Sequence, residues 1–459
     1  MKASFTKVHN LRKQLVDSPL FFYLKSGTLA LFMRVVGMGF GYLLTFFIAR
    51  YYGAEALGLF SIILTIILIS SVLSRLGIDT ALLRFISEFH AKKEESKIKD
   101  LYFKGLFVSL FGGCLVGLAL FFSAPFISQV IFSKPQLEFY IKILSFFLPL
   151  FSLTMLHSQI LRARQKFLSY VFFQYPTGHN IVLFFTLLVL FFLLGNFLSA
   201  PIYSFFFSIF LLFFLSMFFM YQLGIFSSKK EHSLSFPSLL KTSFPLLFVS
   251  SLLLLMNWMD TIMLTVFSST QEVGVYNAAL RLAGLSNLIL FGVNSITGPK
   301  FASLYSLGKM KEFKKVVQIS THVIIVFSFP VFLILAFFSP YLMSFFGADF
   351  IFGWKLLIIL AFGQFINSFA APAMDVMNMT GREKVVQYIL AFSLFLNFTL
   401  NYLLIPLYGS QGAAYASVAS VLFIVICSSL YLRKSLGFWL FGGINYSLSS
   451  LRLLLKKMF

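Results

Sequence analysis

The sequence predicts an all-α polytopic membrane protein, with about twelve transmembrane helices in two parallel-repeat six-helix bundles around a central cavity. Three observations carry this. The 459 residues are 59% hydrophobic and only 11% charged, with mean hydropathy +0.92, whereas a soluble domain carries about 25% charged residues to dress its surface. Apolar runs of the roughly 20 residues that cross a bilayer recur along the whole chain. Finally, 29 of the 36 Lys and Arg residues fall in alternate gaps between those runs, as expected when basic loops stay cytoplasmic.

The predicted spans are 27–49, 57–78, 102–123, 137–160, 169–194, 199–223, 242–268, 275–298, 317–345, 353–378, 385–406 and 411–432. The basic gaps are the N-terminal segment, 84–104, 162–166, 224–241 with Lys229 and Lys230, 300–315, 382–384 and the tail. The opposite gaps hold only Arg50, Lys134, Lys142 and Lys355. Both termini are therefore expected on the cytoplasmic side, with outer loops too short to form a domain. The expected organisation is a cytoplasmic amphipathic segment (1–26), an N-terminal six-helix bundle (27–223), a cytoplasmic linker (224–241), a C-terminal six-helix bundle (242–433) and an amphipathic tail (434–459). Residues 1–25 lack a small-residue cleavage site after a short apolar core, so they read as a retained segment and not a signal peptide. The tail, with Trp439, Arg452, Lys456 and Lys457 beside an apolar stripe, is expected to lie in the interface.

A net charge of +21 would suggest nucleic acid as a partner of a soluble protein. In a chain this apolar it reads as positive-inside topology and contact with anionic lipid head groups, with no nucleic acid. Cys114 and Cys427 lie in apolar runs, which gives neither a disulfide framework nor metal spacing. No phosphate-binding loop, HExxH or GxSxG pattern is present. No cofactor is therefore expected, and any energy the protein uses is expected to come from an ion gradient, the membrane potential or the substrate gradient.

The halves repeat. Gly58-Leu-Phe60 is matched by Gly274-Val-Tyr276, and Arg84-Phe-Ile-Ser87 by Lys300-Phe-Ala-Ser303, both 216 residues apart. Arg164-Gln-Lys166 with Tyr170 is matched by Arg382-Glu-Lys384 with Tyr388, 218 residues apart. Six spans per half, an even number, make the repeat parallel, with substrate sites expected at the repeat interface.

Ionisable groups inside spans cost about 2.5–3.5 kcal/mol on insertion scales, so they should face a cavity or a partner. Arg34, with Gly37, Gly39 and Gly41 close by, reads as a cation facing an anionic substrate group or as an arginine snorkelling to head groups. Asp260 and Arg281 form an intramembrane pair or jointly line a cavity, and Asp260 can also carry a coupling proton or cation. Asn257 precedes Asp260 by three residues, on the same helix face. Gln174, Tyr175, His179 and Asn180 surround a kink at Pro176 and either bind sugar hydroxyls or are satisfied between helices. Arg75 and Asp79 read as a local salt bridge, Asp375 as interfacial, and His157 and His322 as structural. The Phe runs, such as Phe205 to Phe207, read as lipid-facing or packing residues.

Several stretches resemble a known family: Ala49-Arg-Tyr-Tyr-Gly-Ala-Glu-Ala-Leu-Gly-Leu-Phe60, Asp260 followed by Gly274-Val-Tyr276, Gly381-Arg-Glu-Lys384, and Asn401-Tyr-Leu-Leu-Ile-Pro406 leading to Tyr408-Gly-Ser-Gln-Gly-Ala-Ala414. In order and spacing they resemble the polysaccharide repeat-unit flippases (O-antigen and capsule type) of the multidrug/oligosaccharidyl-lipid/polysaccharide (MOP) superfamily. The resemblance implies a V-shaped transporter in a bacterial cytoplasmic (inner) membrane, acting as a monomer. It implies movement of a polyprenyl-diphosphate-linked oligosaccharide to the outer leaflet, with polymerase and glycosyltransferases as partners. It also implies an electropositive cavity, in which Arg34 and Arg281 take the diphosphate, with Asp260, Asn257, Gln174 and Tyr175 beside them. The alternatives are a cation-coupled multidrug exporter of the same superfamily and, from another class, a membrane polymerase or glycosyltransferase. The few acidic residues in the spans weigh against the first, and the short outer loops against the second.

Overall fold

The computed structural model describes residues 19–195, 197–225, 231 and 233–439. Within them the chain is helical, with no strand. Helix α1 (Pro19–Arg75) is broken only at Gly53, where φ is 84° and ψ 179°. A side chain there would be strained, and glycine is not. The predicted spans 27–49 and 57–78 therefore meet at a single residue instead of a loop. Helix α2 (Ile78–Ala91) is short and amphipathic, burying Ile78, Ala81, Leu82 and Ile86 and exposing Arg84 and Glu88. Helices α3 (Glu95–Pro125), α4 (Leu137–Ala163), α5 (Phe167–Phe173), α6 (Thr177–Leu194) and α7 (Ala200–Gln222) follow. The predicted fifth span is the bent pair α5–α6, which turns by 54° around Pro176.

Helices α8 (Phe236–Phe267), α9 (Thr270–Ala283), α10 (Asn287–Ser306), α11 (Met310–Phe337), α12 (Ser339–Ser344), α13 (Trp354–Met379), α14 (Glu383–Tyr408) and α15 (Ser410–Leu436) complete the chain. Among the described residues ten helical segments are long and apolar enough to cross a membrane, eleven with the bent pair, and α1 counts only once in this tally. Two predicted spans need correction. The run 275–298 begins earlier, at Thr270, and is interrupted by a tight turn at Gly284–Ser286. The run 317–345 ends as a continuous helix at Phe337, and α12 follows as a separate short helix. The first break falls at Gly284 and the second just before Pro340, each inside a run that hydropathy alone reads as continuous. Of the predicted flanking segments, residues 1–18, 226–230, 232 and 440–459 lie outside the described residues.

The chain forms two compact units. The first comprises the chain up to Leu44, Ile66–Val130 and Lys134–Ser251. The second comprises Thr45–Thr65, Ile131–Ser133 and the chain from Leu252 onward. This partition differs from the predicted halves, since 45–65 lies in the second unit.

Apolar area alone does not hold helices together in lipid, so close contact and buried polar bonds must contribute. In the first unit His157 lies between Tyr102 Oη at 3.3 Å and Ser216 Oγ at 2.8 Å, all buried. Arg75 pairs with Asp79 at 3.0 Å, as the sequence predicts. Asp100 accepts from Ser233 N at 2.9 Å, Ser233 Oγ at 2.7 Å and Lys104 Nζ at 2.5 Å, tying the described part of the linker to α3. The Phe run divides its roles: Phe205 and Phe206 are buried and Phe207 is exposed. In the second unit Phe301, Phe313, Val317, Ala373 and Met377 form the buried core, joined by Phe438.

Candidate functional site

Each unit brings together polar side chains at a place that includes residues singled out in the sequence. In the first unit the place is the break between α5 and α6. Gly37 of α1 approaches so closely that a Cβ there would lie 2.5 Å from Thr177 Cγ2 and 2.6 Å from Thr177 Cα. Asn180 Nδ2 donates to the Gly37 carbonyl at 3.1 Å. Arg34, about one turn before Gly37, is half-buried and donates from Nη2 to Gln174 Oε1 at 3.4 Å. Arg34 and Gln174 thus meet at the helix break, with Tyr175 next in sequence. His179 is buried, with Phe151 and Tyr175 ring centroids at 5.2 and 5.8 Å. Neither of its ring nitrogens has a hydrogen-bond partner among the described residues. Of the two readings of this cluster, satisfaction between helices holds for Asn180 and fails for His179.

In the second unit three helices converge on Asp260 of α8. Asn397 and Asn401, four residues apart on α14, donate to Oδ1 at 3.0 and 2.8 Å. Tyr276 Oη of α9 donates to Oδ2 at 2.7 Å, and Ser417 Oγ of α15 donates to the same oxygen. Asn401 Nδ2 also reaches Asn397 Oδ1 at 3.0 Å. Asn401 Oδ1 is buried without a partner among the described residues. A carboxylate with neutral donors and an unused amide oxygen offers oxygen ligands of the kind that hard cations take. No cluster of three His, Cys, Asp or Glu residues suited to a resident metal exists among the described residues.

Arg281 is not among Asp260's partners. Its Nε donates instead to Thr45 Oγ1 at 3.3 Å, so the intramembrane pair allowed by the sequence does not form. Asn257 is exposed, and its amide donates to the Leu253 carbonyl at 2.6 Å. It shares α8 with Asp260 but not the network. Sequence reading did not assign Tyr276, Asn397, Asn401 and Ser417 to a site. The available signal was the Asn397/Asn401 pair: two amides at i, i+4 in an apolar helix mark one polar face.

Comparison with known proteins places this architecture. The fold is that of the MurJ and MATE transporters. It superimposes on the lipid II flippase MurJ in an inward closed conformation with TM-score 0.68 at 17% identity, over 89% of this chain and 87% of that one. It matches an inward-facing multidrug resistance MATE family transporter of the MOP superfamily with TM-score 0.69 at 13% identity, over 89% and 98% of the two chains. With its apolar helices of membrane-crossing length, the molecule is a multi-pass membrane protein. Residues 23–305 match the family described as "Polysaccharide biosynthesis protein", and residues 245–403 match the MatE family. The chain belongs to the polysaccharide biosynthesis protein family. A "Probable low-salt glycan biosynthesis flippase Agl15" of Haloferax volcanii is 26% identical over 182 residues, 39% of this chain and 38% of that protein. The chain thus spans little more than a third of the length of the curated relatives it matches.

Proposed function

We propose that the protein moves a polyprenyl-diphosphate-linked oligosaccharide from the cytoplasmic to the outer leaflet of a bacterial inner membrane by alternating access, for cell-surface polysaccharide synthesis. The observation that carries the reading is Arg34 at the broken helix: a half-buried guanidinium held by a neutral glutamine, not by a carboxylate. Its charge is left for an anion. Guanidinium suits a diphosphate because its planar fork donates paired hydrogen bonds. Arg281 supplies a second cation, bonded to a threonine hydroxyl, and Gln174 and Tyr175 stand beside Arg34 for hydroxyl groups. A negative-inside potential favours outward movement of negative charge by about 2.3 kcal/mol per charge per 100 mV.

Asp260 is the coupling site in this reading. A monovalent cation, sodium or a proton, would be taken by its carboxylate with Asn397 and Asn401 alongside. Polymerase and glycosyltransferases would supply and consume the lipid-linked sugar, and the transporter would work as a monomer with both termini cytoplasmic.

A second reading, a cation-coupled multidrug exporter, is favoured by the MatE match over residues 245–403. One experiment separates the two. Proteoliposomes carrying the protein are given a lipid-linked oligosaccharide and, separately, a cationic dye. Flipping of the oligosaccharide without dye transport is the expected result. Dye transport without flipping would replace the first reading by the second.

A further inference from the structure

Gly58 and Gly274 occupy equivalent places in the sequence repeat, and so do Ala54 and Thr270, each pair 216 residues apart. All four meet within the second unit. A Cβ on Gly58 would fall on the Thr270 carbonyl oxygen. A Cβ on Gly274 would fall on the Ala54 carbonyl oxygen and 3.0 Å from Gly58 N. The two contacts exchange under the repeat offset, so segment 45–65 and α9 cross about a local two-fold. Their backbones touch there, and no side chain fits at either glycine.

The same helix makes two further connections. Two residues beyond Gly274, Tyr276 donates to Asp260 at 2.7 Å. Seven residues beyond Gly274, about 10 Å along the axis, Arg281 donates to Thr45 at 3.3 Å. At its start, Ser269 Oγ accepts from Glu272 N at 3.1 Å, a capping bond that fixes the first turn. One short helix therefore grips segment 45–65 at two levels and the carboxylate at a level between them.

We propose that α9 is the rod that transmits cation occupancy at Asp260 to segment 45–65, with Tyr276, Gly58 and Gly274 as positioning residues for transport. The inference rests on the reading of Asp260 as the coupling site. A cation at Asp260 takes the oxygen lone pairs that now accept from Tyr276 and Ser417, so the tyrosine must shift. The crossing has no pliant side chain to absorb that shift, and it passes to Ala54 and Gly58. Coupling of this kind is worth roughly 5- to 150-fold in affinity between the linked states.

The test uses the full chain in nanodiscs, with Cys114→Ser and Cys427→Ser and spin labels on cysteines at Tyr51 and Gln271, both exposed. Radiosodium binding and the label-to-label distance are measured in sodium against choline, and the distance again on acidification without sodium. The parent protein should bind a cation and change its distance distribution. Tyr276→Phe should still bind while losing the distance response, and Gly274→Ala should separate the labels even without cation. Thr45→Val, an isosteric change, should weaken the response and guards against misfolding of the other variants. A response to acid alone names the proton as the cation. If Tyr276→Phe and Thr45→Val both respond like the parent while cation binding is intact, the rod is wrong and the coupling site stands. If the parent protein binds neither sodium nor a proton, both fall.

Discussion

The two polar sites solve the same problem in opposite ways. Asp260 in the second unit is a single charge whose two oxygens each accept from two neutral donors drawn from α9, α14 and α15. Arg34 in the first unit has one long bond to Gln174, beside a buried histidine whose nitrogens have no partner among the described residues. The first arrangement holds its own charge in place. The second leaves donors unspent. A carboxylate completed from within suits a small ion that replaces a few bonds, and an unspent guanidinium suits a large anion that brings its own acceptors. In the proposed function, this contrast would keep a coupling site and a substrate site chemically distinct.

The largest expected effect comes from destroying the closed site. Asp260→Ala orphans several buried donors, each costing about 1–3 kcal/mol, so the thermal midpoint in nanodiscs should fall markedly and transport should cease. Asp260→Asn keeps the shape, and should lose cation dependence with a much smaller fall in midpoint. Equal losses in both variants would mean that the network is only structural.

The next effect compares two buried histidines. His157 is satisfied by Tyr102 and Ser216, so His157→Phe should lower stability by about 1–3 kcal/mol. His179→Phe removes nitrogens that already lack partners, and should be neutral or stabilising in the same melt. A destabilised His179→Phe protein would show that the site around the break is closed like its counterpart.

The smallest effect lies on the surface. Lys92 Nζ is 2.6 Å from Glu88 Oε1 in an exposed pair. The hydrogen bond from the Lys92 ammonium, helped by its charge, holds the Glu88 carboxyl below its ordinary range. The sign follows: any stability from this pair is present above the carboxylate's unfolded value and disappears as pH falls through its folded value. Water screens it, so Lys92→Ala should leave the midpoint unchanged, and a measurable drop would reverse that ranking.

Much of this was legible in the sequence, because bilayer thickness and the position of lysine and arginine act locally along the chain. The spans, the bend at Pro176, the Arg75–Asp79 pair and the Gly58/Gly274 repeat follow from neighbours and spacing alone. The Asp260 network does not. Its partners lie 16, 137, 141 and 157 residues away, and only packing shows which face of α14 and α15 turns toward α8. Asn257 shows the limit of helix spacing: three residues from Asp260, it spends its amide on its own helix. Gly53 shows another, because one glycine with positive φ replaces the loop expected between two spans.

The direct test of the account is flipping of a lipid-linked oligosaccharide in proteoliposomes by the parent protein, Arg34→Ala and Arg281→Ala, each checked for an unchanged thermal midpoint. The account predicts that both variants lose most of the activity, Arg34→Ala the more completely, and that Arg34→Lys restores only part of it. Full transport by both alanine variants would contradict it.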